Sequence, residues 1–406
     1  MRFFCRGYGW SNTTTRAHNA PDTRFPILSI TKTFTATVIL KLQEDGKLSV
    51  QDRLTKYFPD YPNGRKIRIH HLLTHTSGIY NYTEPVGVED SALVNHPISR
   101  QKILDVFENA PVGFEPGKGY SYNNSGYFLL GLIIEKVTGK PYEMVVRELI
   151  FSRLGMTNSG FDFLKLPDSL KAKGYEFMDS EKAIPYKHYD STFAYSAGSI
   201  YSTVADMYKW ARAVANQQIL TSDSWKVAVT PEGPPKIGGY GYGWMTGEFS
   251  GHRYVRHSGG YPGYMSEFVY YPETKLIIIL LNNFGTYDEN IWATAMGITS
   301  IAFNEPYDNW KSRKEVKVDL RILQRYVGTY EYVDKRVSKH KIVVRLENDD
   351  IVMDVPGLSL KLYPESENVF YFKSFNTECR FGIDAKGDVR LNTHEHGRDF
   401  ELKRLQ

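Results

Sequence analysis

From Phe25 to Leu42 the chain reads FPILSITKTFTATVILKL, and Phe34, Val38, Ile39 and Leu42 recur at the spacing of one helix face. The pattern predicts a buried helix that Thr23 or Ser29 can cap, with Gly46 as the residue just past its end. Helical spacing returns from about Ile98 to Glu108, where Ser99 is a natural cap, and again after PVGFEPGKGYSYNNSG, through Tyr127, Leu130, Ile133, Ile134 and Val137. Two more helices are expected over YEMVVRELIFSRLG, ending at Gly155, and over STVADMYKWARAVAN, with Ser202 or Thr203 as cap. IRIHHLLTHTSGI reads as a short strand or turn into a short helix ended by Gly78.

Between Tyr240 and Asn283 the period changes. GYGWMTG, HRYVRHSGG, MSEFVYYP and KLIIILLNN are separated by glycine or Pro-Glu-Thr turns and predict sequential antiparallel strands. A strand is also expected from Met1 to Asn12, and a last helix from about Glu289 to Ala302 would cover the sheet. Helices around strands gathered late argue a mixed α/β (α+β) domain over residues 1–303, an antiparallel sheet flanked by helices, rather than repeated βαβ units. Residues 304–318, polar and containing Pro306, suit a linker. From 319 to 406, short runs such as YVGTYEYV, DIVMDV, CRFGID and DFELKRL alternate with turn signals, which predicts a small all-β sandwich or barrel.

Composition narrows the function classes. The 50 basic and 46 acidic residues are spread along the chain without a basic run, so a nucleic-acid partner is unsupported. Cys5 and Cys379 lie at opposite ends and suggest neither a disulfide framework nor a cysteine-rich metal site. The longest pure apolar run, LIIILL at 276–281, has the length of a buried strand, and no transmembrane segment is expected. MRFFCRGYGW lacks the apolar core of a signal peptide, so the chain as written reads as cytoplasmic. Its oligomeric state is open.

Candidate chemistry begins at Ser29 and Lys32, a hydroxyl and an amine about one helical turn apart. Ser-x-x-Lys recurs at Ser99/Lys102, where Ser99 reads as a cap, and at Ser338/Lys341 in an alternating stretch whose residues three apart face opposite ways. Only the first pair has helical spacing inside an apolar segment. Tyr122 and Asn124 sit in the rigid loop YSYNNSGY, whereas Tyr61/Asn63 and Tyr307/Asn309 flank proline or linker sequence. His257, Gly259 and Gly260 mark the end of a strand at a glycine turn. His71 and His75 are four apart, but no HExxH pattern or third ligand accompanies them, so buried or capping histidines are expected there, and the HEHG run at 394–397 reads as exposed strand. No Gly-x-Ser-x-Gly elbow surrounds any serine.

Ser29-x-x-Lys32, Tyr122-x-Asn124 and His257-x-Gly259, in that order, resemble the serine β-lactamase and penicillin-binding-protein superfamily, in its branch of class C β-lactamases, D-alanyl-D-alanine carboxypeptidases and related esterases. DTRFPILSITKTFTA, HHLLTHTSGI, EPGKGYSYNNSGYFLLG and AGSIYSTVADMYKWA look like family consensus over residues 1–303, and the β-rich part resembles the lipocalin-like barrel that follows many such domains. The family usually begins with a further helix and strand, which are missing before MRFFCRGYGW; a shortened chain would leave an unpaired sheet edge, and would be extracytoplasmic.

The resemblance implies acyl transfer through a covalent acyl-enzyme, without cofactor or metal. Ser29 would attack a carbonyl and Lys32 would handle its proton, which requires burial or nearby positive charge to lower the amine's pKa. Tyr122 would serve as shared acid and base, Asn124 would hold the substrate amide, and the N–H groups of Ser29 and Gly260 would form the oxyanion hole. His257 stands where Lys is commoner and would face a substrate carboxylate. Expected substrates are D-amino-acid peptides, β-lactams or small amides. A carboxylesterase of the same fold, or a penicillin- or peptide-binding protein that deacylates too slowly to turn over, are the alternatives.

Overall fold

Thr31–Glu44 (α1) is a helix buried on nearly every side, with Phe34, Val38, Ile39 and Leu42 at most 1% exposed. Its buried threonines are tolerated because their hydroxyls donate back to the helix, Thr33 to Ile30 O and Thr37 to Thr33 O, both at 2.8 Å. The computed structural model describes residues 4–84, 94, 96–177, 183–186, 189–231, 239–284, 289–305, 307, 313–334, 341–355, 358–372, 377–384, 387–395 and 398–405. The chain divides into two compact units, Met1–Glu176 with Pro185–Ile291, and Phe177–Ile184 with Trp292–Gln406. Two short strands, Tyr175–Phe177 (β4) and Ala183–Pro185 (β5), lie at the crossings.

In the first unit, helices Ile69–Leu73 (α2), Arg100–Phe107 (α3), Asn124–Thr138 (α4), Tyr142–Val146 (α5), Ser152–Leu154 (α6), Ser191–Gly198 (α7), Val204–Ala215 (α8) and Ser222–Ala228 (α9) accompany α1. Phe34 of α1 stacks on Trp210 of α8, ring centroids 4.2 Å apart. The short strands Trp10–Asn12 (β1) and Ala17–His18 (β2) pair with each other, as do Phe25–Pro26 (β3) and Tyr201–Ser202 (β6). The main sheet is antiparallel in the order β10-β9-β8-β7, formed by Met245–Phe249 (β7), His252–Tyr261 (β8), Tyr264–Tyr271 (β9) and Leu276–Asn282 (β10). This is the late run of sequential strands that the alternation predicts. Every residue of β9 is buried, which places the strand inside the layer.

The second unit holds the helix Leu320–Tyr326 (α11) and a nearly closed nine-stranded antiparallel barrel. Tyr326 stacks on Phe381 at 4.3 Å, and Tyr330, Val344, Phe370, Leu391 and Leu402, all fully buried, fill its core. Helix Glu289–Phe303 (α10) starts in the first unit and continues into the second.

Several local expectations are corrected. The first strand covers only Trp10–Asn12 of the N-terminal stretch. Neither Thr23 nor Ser29 caps α1: its N-cap is Ile30 with no side-chain bond, and Thr23 Oγ1 instead accepts from Ala20 N–H. Helix α2 ends at Leu73, well before Gly78, because His75 turns left-handed at φ +59°. Helices α7 and α11 fall in stretches whose small or alternating residues gave no helical period. The caps at Ser99 and Thr203 form, each side chain accepting a backbone N–H three residues on. Ser338 of the third Ser-x-x-Lys pair lies outside the described residues; of HEHG, His394 and Glu395 end the strand Val389–Glu395, with the His394 side chain partly exposed, and His396 and Gly397 lie outside the described residues. Among the described residues no helix is long and apolar enough to cross a membrane.

Candidate active site

Ser29 occupies a single 3₁₀ turn, Leu28–Ile30, that runs straight into α1. Leu28 is left-handed at φ +53°, a conformation costing a leucine about 1–2 kcal/mol. Neighbours hold the turn in place: Ile27 N–H donates to Ile200 O at 2.9 Å, and Ser266 Oγ donates to Ile27 O at 2.8 Å.

One turn further, Lys32 is wholly buried. Its Nζ lies 2.8 Å from Asn124 Oδ1, 2.8 Å from Ala197 O and 3.1 Å from Ser29 Oγ. Removal from water pushes its pKa well below the usual value of 10.5. Two of the three partners are oxygens that can only accept. A neutral amine therefore spends both N–H bonds on them, and its lone pair falls to the Ser29 hydroxyl.

The Tyr122–Asn124 loop stands across from this pair. Asn124 opens α4, and its Nδ2 donates to Thr83 Oγ1 at 3.0 Å while its own N–H donates to Asn81 Oδ1 at 3.1 Å. Asn123 caps the helix through Gly126 N–H at 2.8 Å, and its N–H donates to His75 Nδ1 at 3.0 Å. The Tyr122 ring lies 4.8 Å from Lys32 Nζ and 4.3 Å from the His75 ring, which puts the phenol beside the serine–lysine pair. Burial, with Lys32 and His257 nearby, keeps His75 neutral well below its ordinary pKa.

From β8, His257 enters the same cluster with 1% exposure. Its Nδ1 lies 2.6 Å from Ser258 O, an acceptor, so Nδ1 carries the proton and Nε2 accepts from Tyr240 OH at 2.9 Å. Burial first, then Lys32, lowers its pKa to about 3, so the ring is neutral and both nitrogens are engaged within the protein. Gly259 explains how β8 comes so close: a Cβ there would stand 2.5 Å from Ile27 O and 2.7 Å from Leu28 Cβ. Only glycine fits between the strand and the Ser29 turn. Ser29 and Gly260 both line one cavity of about 250 Å³.

Thus Ser29, Lys32, Tyr122, Asn124, His257, Gly259 and Gly260, spread over 232 positions of sequence from 29 to 260, converge at one place. His71 does not join them; its Nδ1 accepts from Arg68 N–H at 3.1 Å. Among the described residues no three His, Cys, Asp or Glu side chains gather as a metal ion would need.

Residues 2–296 match the family described as "Beta-lactamase". The chain belongs to the beta-lactamase family. It is 28% identical to "Penicillin-binding protein 4*" of Bacillus subtilis (strain 168), over 98% of this chain and 91% of that protein. It is 32% identical to "Putative penicillin-binding protein PbpX" of the same strain, over 68% of this chain and 66% of that one. Among solved structures, the octameric penicillin-binding protein homologue from Pyrococcus abyssi superposes with a TM-score of 0.67 at 26% identity, covering 98% of this chain and 93% of that one. D-amino acid amidase from Ochrobactrum anthropi SV3, complexed with L-phenylalanine amide, gives 0.62 at 27% identity, over 69% and 82%.

The candidate site also contains parts that the sequence did not announce. Ala197 contributes a main-chain carbonyl, which has no side-chain signature. Asn81 and Thr83 brace Asn124 from some forty positions upstream; their only signal is the polar phrase YNYT beside the family-like HTSGI. Tyr240, one of 29 tyrosines, follows two glycines and is indistinguishable by type.

Proposed function

We propose that this chain is a serine hydrolase working through a covalent acyl-enzyme on D-amino-acid peptides, β-lactams or related small amides. The observation that carries the reading is the buried Lys32 amine, held by Asn124 and Ala197 with Ser29 Oγ as its third partner at 3.1 Å. Ser29 attacks the substrate carbonyl as Lys32 accepts the hydroxyl proton, and the new C–O bond pushes charge onto the carbonyl oxygen. The N–H groups of Ser29 and Gly260 receive that charge; losing one such donor costs about a hundredfold to a thousandfold. As the bond to the leaving group breaks, Tyr122 passes it a proton; Tyr122 later takes one from the attacking water, and Lys32 returns its proton to Ser29 Oγ as the acyl carbon departs from the serine. Asn124 holds the substrate amide with the Nδ2 hydrogen that Thr83 leaves over, and His257 orients Tyr240 beside Tyr122. The catalytic domain is assigned to residues 1–303 and the barrel to 319–406. Likeness to D-amino acid amidase supports small amides as substrates.

A carboxylesterase of the same fold is the second reading. The neutral, fully engaged His257 favours it, since the ring brings no charge to a substrate carboxylate. Steady-state hydrolysis of a D-amino-acid amide, a D-alanyl-D-alanine peptide, a penicillin and a p-nitrophenyl ester ranks the two: amide or β-lactam turnover supports the first, and ester turnover alone replaces it with the second.

A further inference from the structure

The cavity beside Ser29 has a definite side and a definite chemistry. Its wall includes Tyr82, Val94, Tyr189, Phe193, Ala194 and Tyr261, while Tyr122, Tyr240 and His257 contribute nothing to it. With Tyr122 as the proposed acid, the leaving group departs towards its hydroxyl, and a cavity that Tyr122 does not line takes the part that stays bonded to Ser29.

The wall is built from two edge-to-face aromatic pairs. Tyr189 meets Tyr261 at 4.5 Å and 85°, and Tyr82 meets Phe193 at 5.3 Å and 76°. The hydroxyls of Tyr82 and Tyr189 donate into the protein, to Phe193 O at 2.7 Å and Gly198 O at 2.9 Å, which leaves ring surface facing the cavity. No charged side chain lines it among the described residues. A largely apolar pocket of this kind, polar only at Ser29, Thr83 and Asn124 among its described lining side chains and at the tyrosine hydroxyls, takes an apolar group. Its volume, about 250 Å³, exceeds the roughly 150 Å³ that suffices to hold benzene.

We infer that this cavity is the acyl-side specificity pocket and selects substrates whose acyl group carries an uncharged aromatic side chain of about benzyl size. The inference rests on the acyl-enzyme reading of Ser29. A ring seated there before attack also fixes the carbonyl over Ser29 Oγ, so the preference is expressed in kcat/KM rather than in binding alone.

The test compares p-nitrophenyl acetate, phenylacetate and 4-carboxyphenylacetate on the full chain, each kcat/KM divided by the ester's spontaneous hydrolysis rate, with intact mass following the adduct on Ser29. The expected result is an advantage of about tenfold or more for phenylacetyl over acetyl, lost when the ring carries the carboxylate. Ala194→Phe, which fills the cavity, is expected to bring the phenylacetyl-to-acetyl ratio down towards one; should that variant not fold, the wild-type ratios decide. Acylation of Ser29 by all three esters at equal corrected rates overturns the pocket and leaves the hydrolase reading standing. No adduct on Ser29 and no turnover of any ester overturns both.

Discussion

The Lys32 amine is 3.1 Å from the Ser29 hydroxyl and 2.8 Å from each of two obligate acceptors, a geometry in which a neutral amine has only its lone pair left for the serine. The 3₁₀ turn that runs into α1 places the two groups together, and burial of Lys32 lowers the amine's pKa. In the proposed mechanism acylation depends on the neutral amine. Its rate is expected to rise with pH through a pKa well below 10.5 and to fall on the acid side of it; Lys32→Met is expected to lose about a hundredfold to ten-thousandfold in acylation, together with that acid limb. Stopped-flow acylation against pH checks both.

Tyr122→Phe removes the group assigned to the leaving group and to the water while leaving Ser29 and Lys32 in place. Deacylation is expected to slow more than acylation, so the acyl-enzyme accumulates. Burst kinetics read the two steps separately, and equal loss in both would confine Tyr122 to acylation or to structure.

His75→Ala removes the acceptor of Asn123 N–H at 3.0 Å and the ring packed 4.3 Å from Tyr122. The unsatisfied buried N–H alone costs about 1–3 kcal/mol. A lower urea midpoint is expected, and a kcat lowered by the displaced loop; unchanged kcat in a folded variant would mean that His75 supports stability only.

How much of this was legible in sequence depended on how local each cause is. Helix α1 and strands β7 to β10 could be read because apolar spacing and turn residues report burial within a few positions. Ser29, Lys32, Tyr122, Asn124 and His257 stood out because their residue types carry chemistry in family-like phrases. The absent cap on α1 was not foreseen: Ser29's hydroxyl is turned towards Lys32 instead of towards the helix N–H groups. The bracing of Asn124 by Asn81 and Thr83, the Ala197 carbonyl and the Tyr240–His257 bond arise from tertiary packing, and no neighbouring residue encodes them.

Gly259→Ala would push a methyl group to 2.5 Å from Ile27 O and 2.6 Å from Ser266 Oγ. Overpacking of this kind costs about 1–3 kcal/mol, and relief by moving β8 shifts Gly260 away from Ser29. The variant is expected to melt earlier and to lose activity in excess of its lost stability, as measured by thermal unfolding and single-turnover acylation below the melting range.

Acid stability follows from His257. Its folded pKa is about 3 against 6.5 for the free side chain, so the unfolded chain binds the extra proton between those values. Its contribution is complete above about pH 6.5 and is lost as pH falls towards 3, at up to about 1.4 kcal/mol per pH unit. Urea midpoints are expected to drop from pH 7 to pH 4, and less steeply in His257→Gln.

Time-resolved intact mass with a penicillin and with a p-nitrophenyl ester, on wild type and on Ser29→Ala, tests the nucleophile most directly. An acyl adduct is expected in wild type, mapped to the peptide containing Ser29, with neither adduct nor turnover in a folded Ser29→Ala. Hydrolysis or labelling that persists in Ser29→Ala would contradict the assignment of Ser29.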